Sequence, residues 1–189
     1  MISARNVGRL PTGMSLVSDD VVEFHAARLI LLLYICGTEE SNNRRRIDGL
    51  TKIAKLDFFV RYPSFFIRAA EVLDKSTSIE DTEPDSKMIR YHYGPWDQRY
   101  YHVIPFMEAR SLINVVKDPG KNQYKFYLTP DGISLAKVLL DLHEFDELKA
   151  RMLEVKRVLG RKNGHQLKEL VYKLFQKEVG DLSLGEIID

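Results

Sequence analysis

Basic side chains are concentrated in one stretch of the chain, residues 42–68. Seven side chains there are lysine or arginine, and only Asp48 and Asp57 oppose them, so the local net charge is +5. Such a cluster can contact nucleic-acid phosphates, which position a protein without reading base sequence. A solvated helix face beside a basic loop is the simpler interpretation, and it stays open. The candidate DNA contacts in this stretch are Arg44, Arg45, Arg46, Lys52 and Lys55.

Arg61 belongs to the same stretch, but it has a nearer partner. It follows Asp57 by four residues, the spacing at which opposite charges pair along one face of a helix. We therefore predict that these two side chains pair with each other rather than with a ligand.

A second group of lysines flanks the turn signal Asp118-Pro119-Gly120-Lys121-Asn122. The pattern predicts a β-hairpin with this turn at its tip. Three further candidate DNA contacts lie on or beside the tip: Lys117, Lys121 and Lys125. Asp118 dilutes the positive charge, so an ordinary solvent-exposed hairpin is the alternative.

Tyrosine and tryptophan are dense between residues 91 and 101. Aromatic side chains often anchor protein interfaces because they bury a large area and keep a polar end. Some of these rings must instead belong to the core, and we expect Trp96 to be one of them. Tyr91 and Tyr101 are the candidate partner contacts.

The segment 149–177 combines nine basic residues and two acidic ones with apolar residues at helical spacing. Such a stripe is usually core, but it is also the pattern of a face that accepts a partner helix. The candidate partner contacts in this segment are Leu170, Leu174 and Phe175.

Catalytic and metal-binding motifs are not evident. His92, Asp97 and His102 are spaced at intervals of five, which is compatible with a metal site but rarely forms one. The sequence contains no nucleotide-binding glycine motif and no nucleophile elbow. Cys36 follows the most apolar segment, so we expect it to pack in the core. We predict no catalytic residues, no metal and no cofactor.

The overall composition excludes several classes of protein. The chain has 189 residues, with 28 basic and 27 acidic ones, so it is not a strongly basic nucleic-acid protein. A single cysteine excludes a disulfide framework within the chain. The most apolar stretch, residues 26–36, is shorter than the roughly 20 residues that span a bilayer. We expect a cytoplasmic protein without a membrane segment.

Local patterns predict the elements that must position these residues. We expect helices over about 21–36, 48–62, 63–73, 96–110, 130–142, 145–159 and 165–177, and strands over 88–93, 112–116 and 123–128. Thr129-Pro130 is a strong helix start, because threonine caps a helix and proline suits its first position. Ser18, Asp19 or Asp20 would cap the first helix, and residues 74–87 read as an acidic exposed loop.

The order of a helix, a hairpin and the capped helix LTPDGISLAKVLL (128–140) resembles the second half of a winged-helix domain. We therefore predict an α+β, mostly helical fold: a winged helix-turn-helix with added N- and C-terminal helices. The expected divisions are an N-terminal arm (1–18), a winged-helix domain (19–143) containing the acidic loop 74–87, and a C-terminal helical extension (144–189).

Three segments carry a resemblance to a known family: KLDFFVRYP (55–63) within 49–66, YGPWDQRYY (93–101) within 88–113, and the C-terminal stretch 166–188. Together they resemble the winged-helix middle component of bacterial three-component ABC-ATPase systems, which include the Lamassu-type antiphage operons. The resemblance covers the chain from about residue 20 to its end. It implies a non-catalytic adaptor that links an SMC/Rad50-like ATPase to an effector, often a nuclease, in a defence complex that recognises invading DNA. Double-stranded DNA is a further candidate partner of the adaptor itself, and the DNA structure that the complex senses stays open. It supplies no catalytic residues.

Two other functions remain open at this stage. One is a free-standing winged-helix transcriptional regulator, which should dimerise and bind a specific duplex. The other is an antitoxin or proteolysis adaptor, since small proteins of that kind also carry a Tyr-Gly-Pro motif before a helix.

Overall fold

The centre of the first helix is almost completely buried. A computed structural model describes residues 21–40 and 44–189. In it, residues 29–33 of this helix are each at most 2 % exposed. They are apolar on every side, so the helix must be covered on every side. The described residues form an α+β fold, mostly helical, with two small antiparallel sheets.

The helices are α1 (Val22–Cys36), α2 (Leu50–Arg61), α3 (Pro63–Val72), α4 (Tyr100–Ala109), α5 (Pro130–Asp141), α6 (Asp146–Leu159) and α7 (Gly164–Leu174). A short 3-10 turn (His143–Phe145) and a π-helical turn (Gln176–Gly180) follow α5 and α7, respectively. The strands are β1 (Thr38–Glu39), β2 (Arg45–Asp48), β3 (Ile89–Tyr91), β4 (Gly94–Trp96), β5 (Ile113–Lys117) and β6 (Tyr124–Leu128).

The larger sheet has the order β1-β2-β6-β5, and all its neighbours are antiparallel. Strands β5 and β6 form the predicted hairpin around residues 118–122. Phe126 lies opposite Ile47 on one side and Val115 on the other. The buried positions alternate along β6, with Phe126 and Leu128 against the core. Strands β1 and β2 were not expected, because the sequence there is polar and basic.

The smaller sheet corrects a predicted helix boundary. Residues 94–96 form β4, antiparallel to β3. The helix predicted over 96–110 is present as α4, but it begins only at Tyr100, so the predicted start at Trp96 is wrong. Proline in a strand is confined to edges because it lacks an N–H, and Pro95 lies in this two-stranded ribbon opposite Arg90. The C-terminal segment covers the other edge of β3: Arg90 N donates to Glu186 O at 2.7 Å.

The two C-terminal helices share one hydrophobic core with the rest of the fold. Met152 and Val155 of α6 and Val171 of α7 are fully buried in the same cluster as Leu31 of α1 and Phe58 of α2. Helix α6 packs on α1 and α2, and α7 packs on α2. The region after residue 143 is therefore not a separate core.

Several local predictions are confirmed. Thr129 Oγ1 caps α5 by accepting from Gly132 N at 3.0 Å, with Pro130 at the first helical position. Arg61 pairs with Asp57 at 3.4 Å. Cys36 and Trp96 are core residues, at 4 % and 8 % exposure. The N-terminal arm and the predicted cap at residues 18–20 lie outside the described residues.

Candidate nucleic-acid interface

A polar groove of about 780 Å³ lies where α2 begins, where α7 begins and beside the tip of the β5–β6 hairpin. Hydroxyl, amide and basic side chains dominate its lining. From the strand side and α2 these are Thr38, Asp48, Gly49, Leu50, Thr51 and Lys52; from the β3–β4 turn and the hairpin, Tyr93, Lys121, Asn122, Gln123 and Tyr124; and from the start of α7, Arg161, Asn163, Gly164, His165 and Lys168.

Helix α2 starts at the groove because the chain turns sharply at Gly49. Its φ of +91° lies in the region that glycine adopts readily and that other residues avoid. Its N–H donates to Tyr124 O at 2.8 Å, which fixes the start of α2 against β6. No side chain among the described residues caps α2.

Helix α7 starts at the same groove with a complete capping box. Asn163 Oδ1 accepts from Gln166 N, and Gln166 Oε1 accepts from Asn163 N, both at 2.9 Å. Gly164 packs so tightly on α2 that a Cβ there would lie 3.1 Å from Lys52 N. The positive ends of two helix dipoles therefore meet in one groove, which favours anions there.

The groove carries a positive net charge. Lys52, Lys121, Arg161 and Lys168 line it, and Asp48 is the only carboxylate among its described lining residues. That carboxylate already accepts from Arg46 Nε at 2.8 Å. Lys168 Nζ also pairs with Glu169 Oε1, just outside the lining, at 3.1 Å. Anionic ligands are therefore favoured over cationic ones.

Lys52 is held in place within this groove. Its Nζ donates to Gly160 O at 3.0 Å, and this bond connects α2 to the end of α6. Burial is the main influence on this side chain and lowers the pKa of Lys52. The ammonium is thus positioned rather than freely rotating, and it retains donors for a ligand because it carries three N–H bonds.

Two tyrosines rim the groove. Tyr93 belongs to the β3–β4 turn and is 58 % exposed, and Tyr124 begins β6 and is 48 % exposed. Aromatic rings next to lysine and arginine side chains are typical of surfaces that bind nucleic acid.

The hairpin lysines are only partly gathered into this groove. Lys121 lines it, and Lys117 is exposed on the flank of the same hairpin tip. Lys125 pairs with Asp118 at 3.0 Å. This pair raises the pKa of Lys125 and lowers that of Asp118 through their hydrogen bond. Lys52 and Lys121, predicted from segments far apart in sequence, therefore share the groove.

The three consecutive arginines lie outside the groove lining, at the start of β2, and contact their own chain. Arg44 lies over the Tyr127 ring at 4.5 Å. Arg45 donates to Glu39 Oε2 at 2.9 Å and lies over the Tyr34 ring at 4.5 Å. Arg46 pairs with Asp48 and Glu40. A ligand would have to compete with these contacts.

The prediction that Lys55 contacts DNA is wrong, because this side chain is 0 % exposed. Its Nζ donates to Pro95 O at 2.7 Å, so it connects α2 to β4. Burial lowers the pKa of Lys55 to about 7, and the nearby Arg90 acts in the same direction. Helical periodicity did not reveal this burial, because α2 is covered by elements distant in sequence.

The five candidate partner contacts also differ in their exposure to solvent. Tyr101 is 56 % exposed above the Trp96 ring, at 5.9 Å between centroids, and Tyr91 is half-buried beside the same ring. The assignment of Phe175 to a partner surface is wrong, because this side chain is 0 % exposed and packs against Phe65. Leu170 and Leu174 are half-buried against the core.

Several groove residues did not appear among the sequence candidates. Arg161, His165 and Lys168 surround the start of α7, and Tyr93 and Tyr124 come from two different hairpins. The segment Arg161-Lys162-Asn163-Gly164-His165 offered a signal, since it places basic residues directly around a helix cap.

A buried ionic network joins α1, α2 and the start of α4. Arg28 Nε donates to Asp57 Oδ1 at 2.9 Å, and Arg61 Nη1 donates to Asp97 Oδ2 at 2.7 Å. The Tyr100 hydroxyl also donates to Asp57, at 2.7 Å. These side chains are at most 4 % exposed and satisfy one another, so we interpret the network as structural.

The two carboxylates of the network stay ionised despite their burial. Burial alone would raise the pKa of Asp97, but the hydrogen bond from Arg99 and the charge of Arg61 lower it to about 2. Burial also acts on Asp57, where the charges of Arg28 and Arg61 outweigh it and lower the pKa.

Across residues 21–40 and 44–189, no cluster of histidine, cysteine and acidic side chains is arranged to hold a metal ion. His92 and His102 are exposed, whereas Asp97 is buried in the network. In this same part of the chain, no helix has the length and apolar character needed to cross a bilayer. Comparisons with protein-family models, curated proteins and solved structures give no match to this chain.

Proposed function

We propose that this chain is a non-catalytic adaptor that contacts nucleic acid through the groove between α2, α7 and the β5–β6 hairpin. The groove carries the proposal, because it gathers Lys52, Lys121, Arg161 and Lys168 around two helix N-termini. Phosphate is the anion that such a surface suits best. The adaptor role follows the family resemblance of the sequence, with an SMC/Rad50-like ATPase and an effector such as a nuclease as partners.

The order of elements supports a winged-helix core. Helix α1, strand β2, helix α2, helix α4 and the β5–β6 hairpin follow one another, and β2 pairs with β6 rather than with β5. This strand order is typical of winged-helix domains. On this interpretation, α3, the acidic loop and the β3–β4 ribbon form an insertion before α4.

The surface of α4 argues against the alternative of a free-standing regulator. In a winged-helix regulator, the helix before the hairpin enters the major groove and reads base edges, most often with arginine or lysine. The sequence of α4, YYHVIPFMEA, contains neither residue. Its exposed positions include Tyr101, His102, Pro105 and Glu108. Contact with the phosphate backbone through the groove does not need such a reading helix.

Charge reversal in the groove tests the nucleic-acid contact. We expect Lys121→Glu with Arg161→Glu to weaken binding of a fluorescein-labelled oligonucleotide about tenfold or more at 100 mM salt, because each reversal replaces attraction by repulsion. Fluorescence anisotropy measures the affinity. Lys137→Glu with Lys177→Glu is the matched control, since both lysines are exposed outside the groove. If the two double variants lose affinity for the oligonucleotide equally, the contact is not specific to the groove.

Co-purification tests the adaptor role separately. We expect the tagged chain, expressed in its native host, to retain an ATPase with a long coiled coil after nuclease treatment, as identified by mass spectrometry. Retention of DNA alone contradicts the adaptor role. The purified chain should not hydrolyse DNA or nucleotides. Hydrolysis that is lost when one of its histidines or aspartates is substituted would contradict a non-catalytic function.

A further inference from the structure

We propose that the groove between α2, α7 and the hairpin binds unpaired nucleotides, with phosphates on its cations and bases stacked on Tyr93 and Tyr124. This inference rests on the proposed nucleic-acid contact and narrows its ligand from any nucleic acid to unpaired strands or free nucleotides.

The exposed tyrosines are the first observation. Tyr93, Tyr101 and Tyr124 are the tyrosines among the exposed large hydrophobic side chains of the described residues, and two of the three line this one groove. A base pair inside a duplex hides the faces of its bases, whereas an unpaired base presents them. Stacking on an aromatic side chain is therefore a contact specific to unpaired bases.

The size of the groove is the second observation. Its volume of about 780 Å³ falls within the range of roughly 300–1,000 Å³ typical of small-molecule sites. A few nucleotides fit such a space, whereas a duplex is too wide to enter it and would lie across the rim, with its bases stacked on one another rather than on the tyrosine rings. A duplex bound in that way would leave the interior of the groove unused.

The polar lining is the third observation. Asn122 and Gln123 bring two carboxamide side chains to the groove beside Tyr124. A carboxamide both donates and accepts hydrogen bonds, so it can pair with the edge of any base. Cations, rings and carboxamides together match three parts of a nucleotide: the phosphate, the base face and the base edge.

Paired aromatic substitutions test the proposal with the full chain. The probes are a fluorescein-labelled twelve-residue oligothymidylate and a labelled duplex of twelve base pairs, followed by fluorescence anisotropy. Tyr93→Ala with Tyr124→Ala should weaken single-strand binding about tenfold or more and change duplex binding less than about twofold. Tyr93→Phe with Tyr124→Phe should restore single-strand binding, because phenylalanine keeps the ring. Tyr101→Ala is the control, an exposed tyrosine outside the groove.

A competition experiment separates the two sources of an unpaired nucleotide. If thymidine monophosphate displaces the labelled strand at concentrations near the dissociation constant of that strand, the ligand is a free nucleotide. Displacement only by longer strands indicates single-stranded nucleic acid. Both results support the proposal.

Three outcomes would overturn it. The first is an alanine variant whose affinity for the duplex falls by the same factor as its affinity for the single strand. The second is a phenylalanine variant that does not recover. The third is an alanine variant that binds the single strand as the wild type does. If the third result appears while Lys121→Glu with Arg161→Glu still abolishes binding, the proposed nucleic-acid contact stands and only the stacking fails. If wild-type protein binds neither probe, both proposals fail.

Discussion

Arg61 Nη1 and Asp97 Oδ2 lie 2.7 Å apart, and both side chains are almost completely shielded from solvent. Arg61 ends α2, whereas Asp97 lies in the turn before α4, so the pair joins two elements that are 36 residues apart in sequence. Arg61 also donates to Ser86 O at 3.0 Å, where the long acidic loop rejoins the fold. One guanidinium therefore connects α2, the loop and the start of α4.

Removing this guanidinium should destabilise the protein strongly. Arg61→Met leaves Asp57 and Asp97 with one cation fewer in a buried site, and loss of one partner of a buried pair costs about 3–5 kcal/mol. Urea unfolding followed by circular dichroism gives the free energy of unfolding. If the variant is too unstable to purify, Tyr100→Phe tests the same network by removing only the hydroxyl that donates to Asp57.

Arg68→Met is the matched control for Arg61. Arg68 pairs with Glu178 at 2.8 Å, but its side chain is 46 % exposed. Exposed pairs contribute less than about 1 kcal/mol, because water screens the charges. Equal losses of unfolding free energy in the two variants would contradict the structural role assigned to the buried network.

Lys55 should make stability depend on pH near neutrality. Its pKa is about 7 in the folded protein and ordinarily 10.5, so the unfolded chain binds more protons between these values. The free energy of unfolding should therefore rise with pH above 7. Lys55→Met removes this contribution. We expect the free energy of unfolding of the wild type, minus that of the variant, to increase by about 2 kcal/mol between pH 7 and pH 9.

Urea titrations of both proteins at pH 6, 7, 8 and 9 measure this difference. The packing of the methionine side chain is the same at every pH, so it shifts the difference without giving it a slope. The hydrogen bond to Pro95 O weakens as Lys55 loses its proton, and this change is already part of the pKa of Lys55. A difference that stays constant from pH 6 to pH 9 would show that Lys55 keeps its ordinary pKa.

Cys36 should be unreactive until the protein unfolds. Burial raises the pKa of its thiol to about 12, and its Sγ donates to Met152 O at 3.6 Å. Because the thiolate is the nucleophile, a thiol with this pKa is only about 0.01 % ionised at pH 8. Labelling with a chromogenic disulfide should be slow in buffer and complete within the mixing time in 6 M guanidinium. Rapid labelling in buffer would place the thiol at the surface.

The salt dependence of single-strand binding should report the groove cations one at a time. Each phosphate contact contributes about 0.7 to the slope of log affinity against log salt concentration. Lys121→Ala and Arg161→Ala should therefore each reduce the slope by about 0.7, whereas Lys137→Ala outside the groove should leave it unchanged. Anisotropy titrations between 50 and 300 mM salt give the slopes. A slope that is the same in all four proteins would place the phosphates elsewhere.

Local sequence patterns predicted the elements whose signals are themselves local. Thr129-Pro130 starts α5, Asp57 and Arg61 pair along one helix, and the Pro-Gly turn closes the β5–β6 hairpin. Each of these features depends on residues within a few positions of one another. Backbone preferences and helical spacing are sufficient to predict such features.

Elements that depend on distant partners were missed. Strand β2 looks like a basic loop, but it forms because β6 supplies hydrogen-bonding partners about 80 residues away. Strand β4 contains Gly94 and Pro95, which normally end a strand, and it exists because β3 pairs with it. Strand pairing is a tertiary interaction, so neither strand has a strong local pattern.

The sequence by itself determined which residues carry charge and aromatic rings, and which segments are helical. Only the tertiary structure decided which of those residues share a site. Lys52, Lys121 and Arg161 meet in one groove because α7 packs across the start of α2, with Gly164 at the point of closest approach. Lys55, about one helical turn after Lys52, is buried, because β4 covers α2 at that point. Both outcomes follow from the packing of a helix against distant elements, and no local pattern encodes which of its faces will be covered.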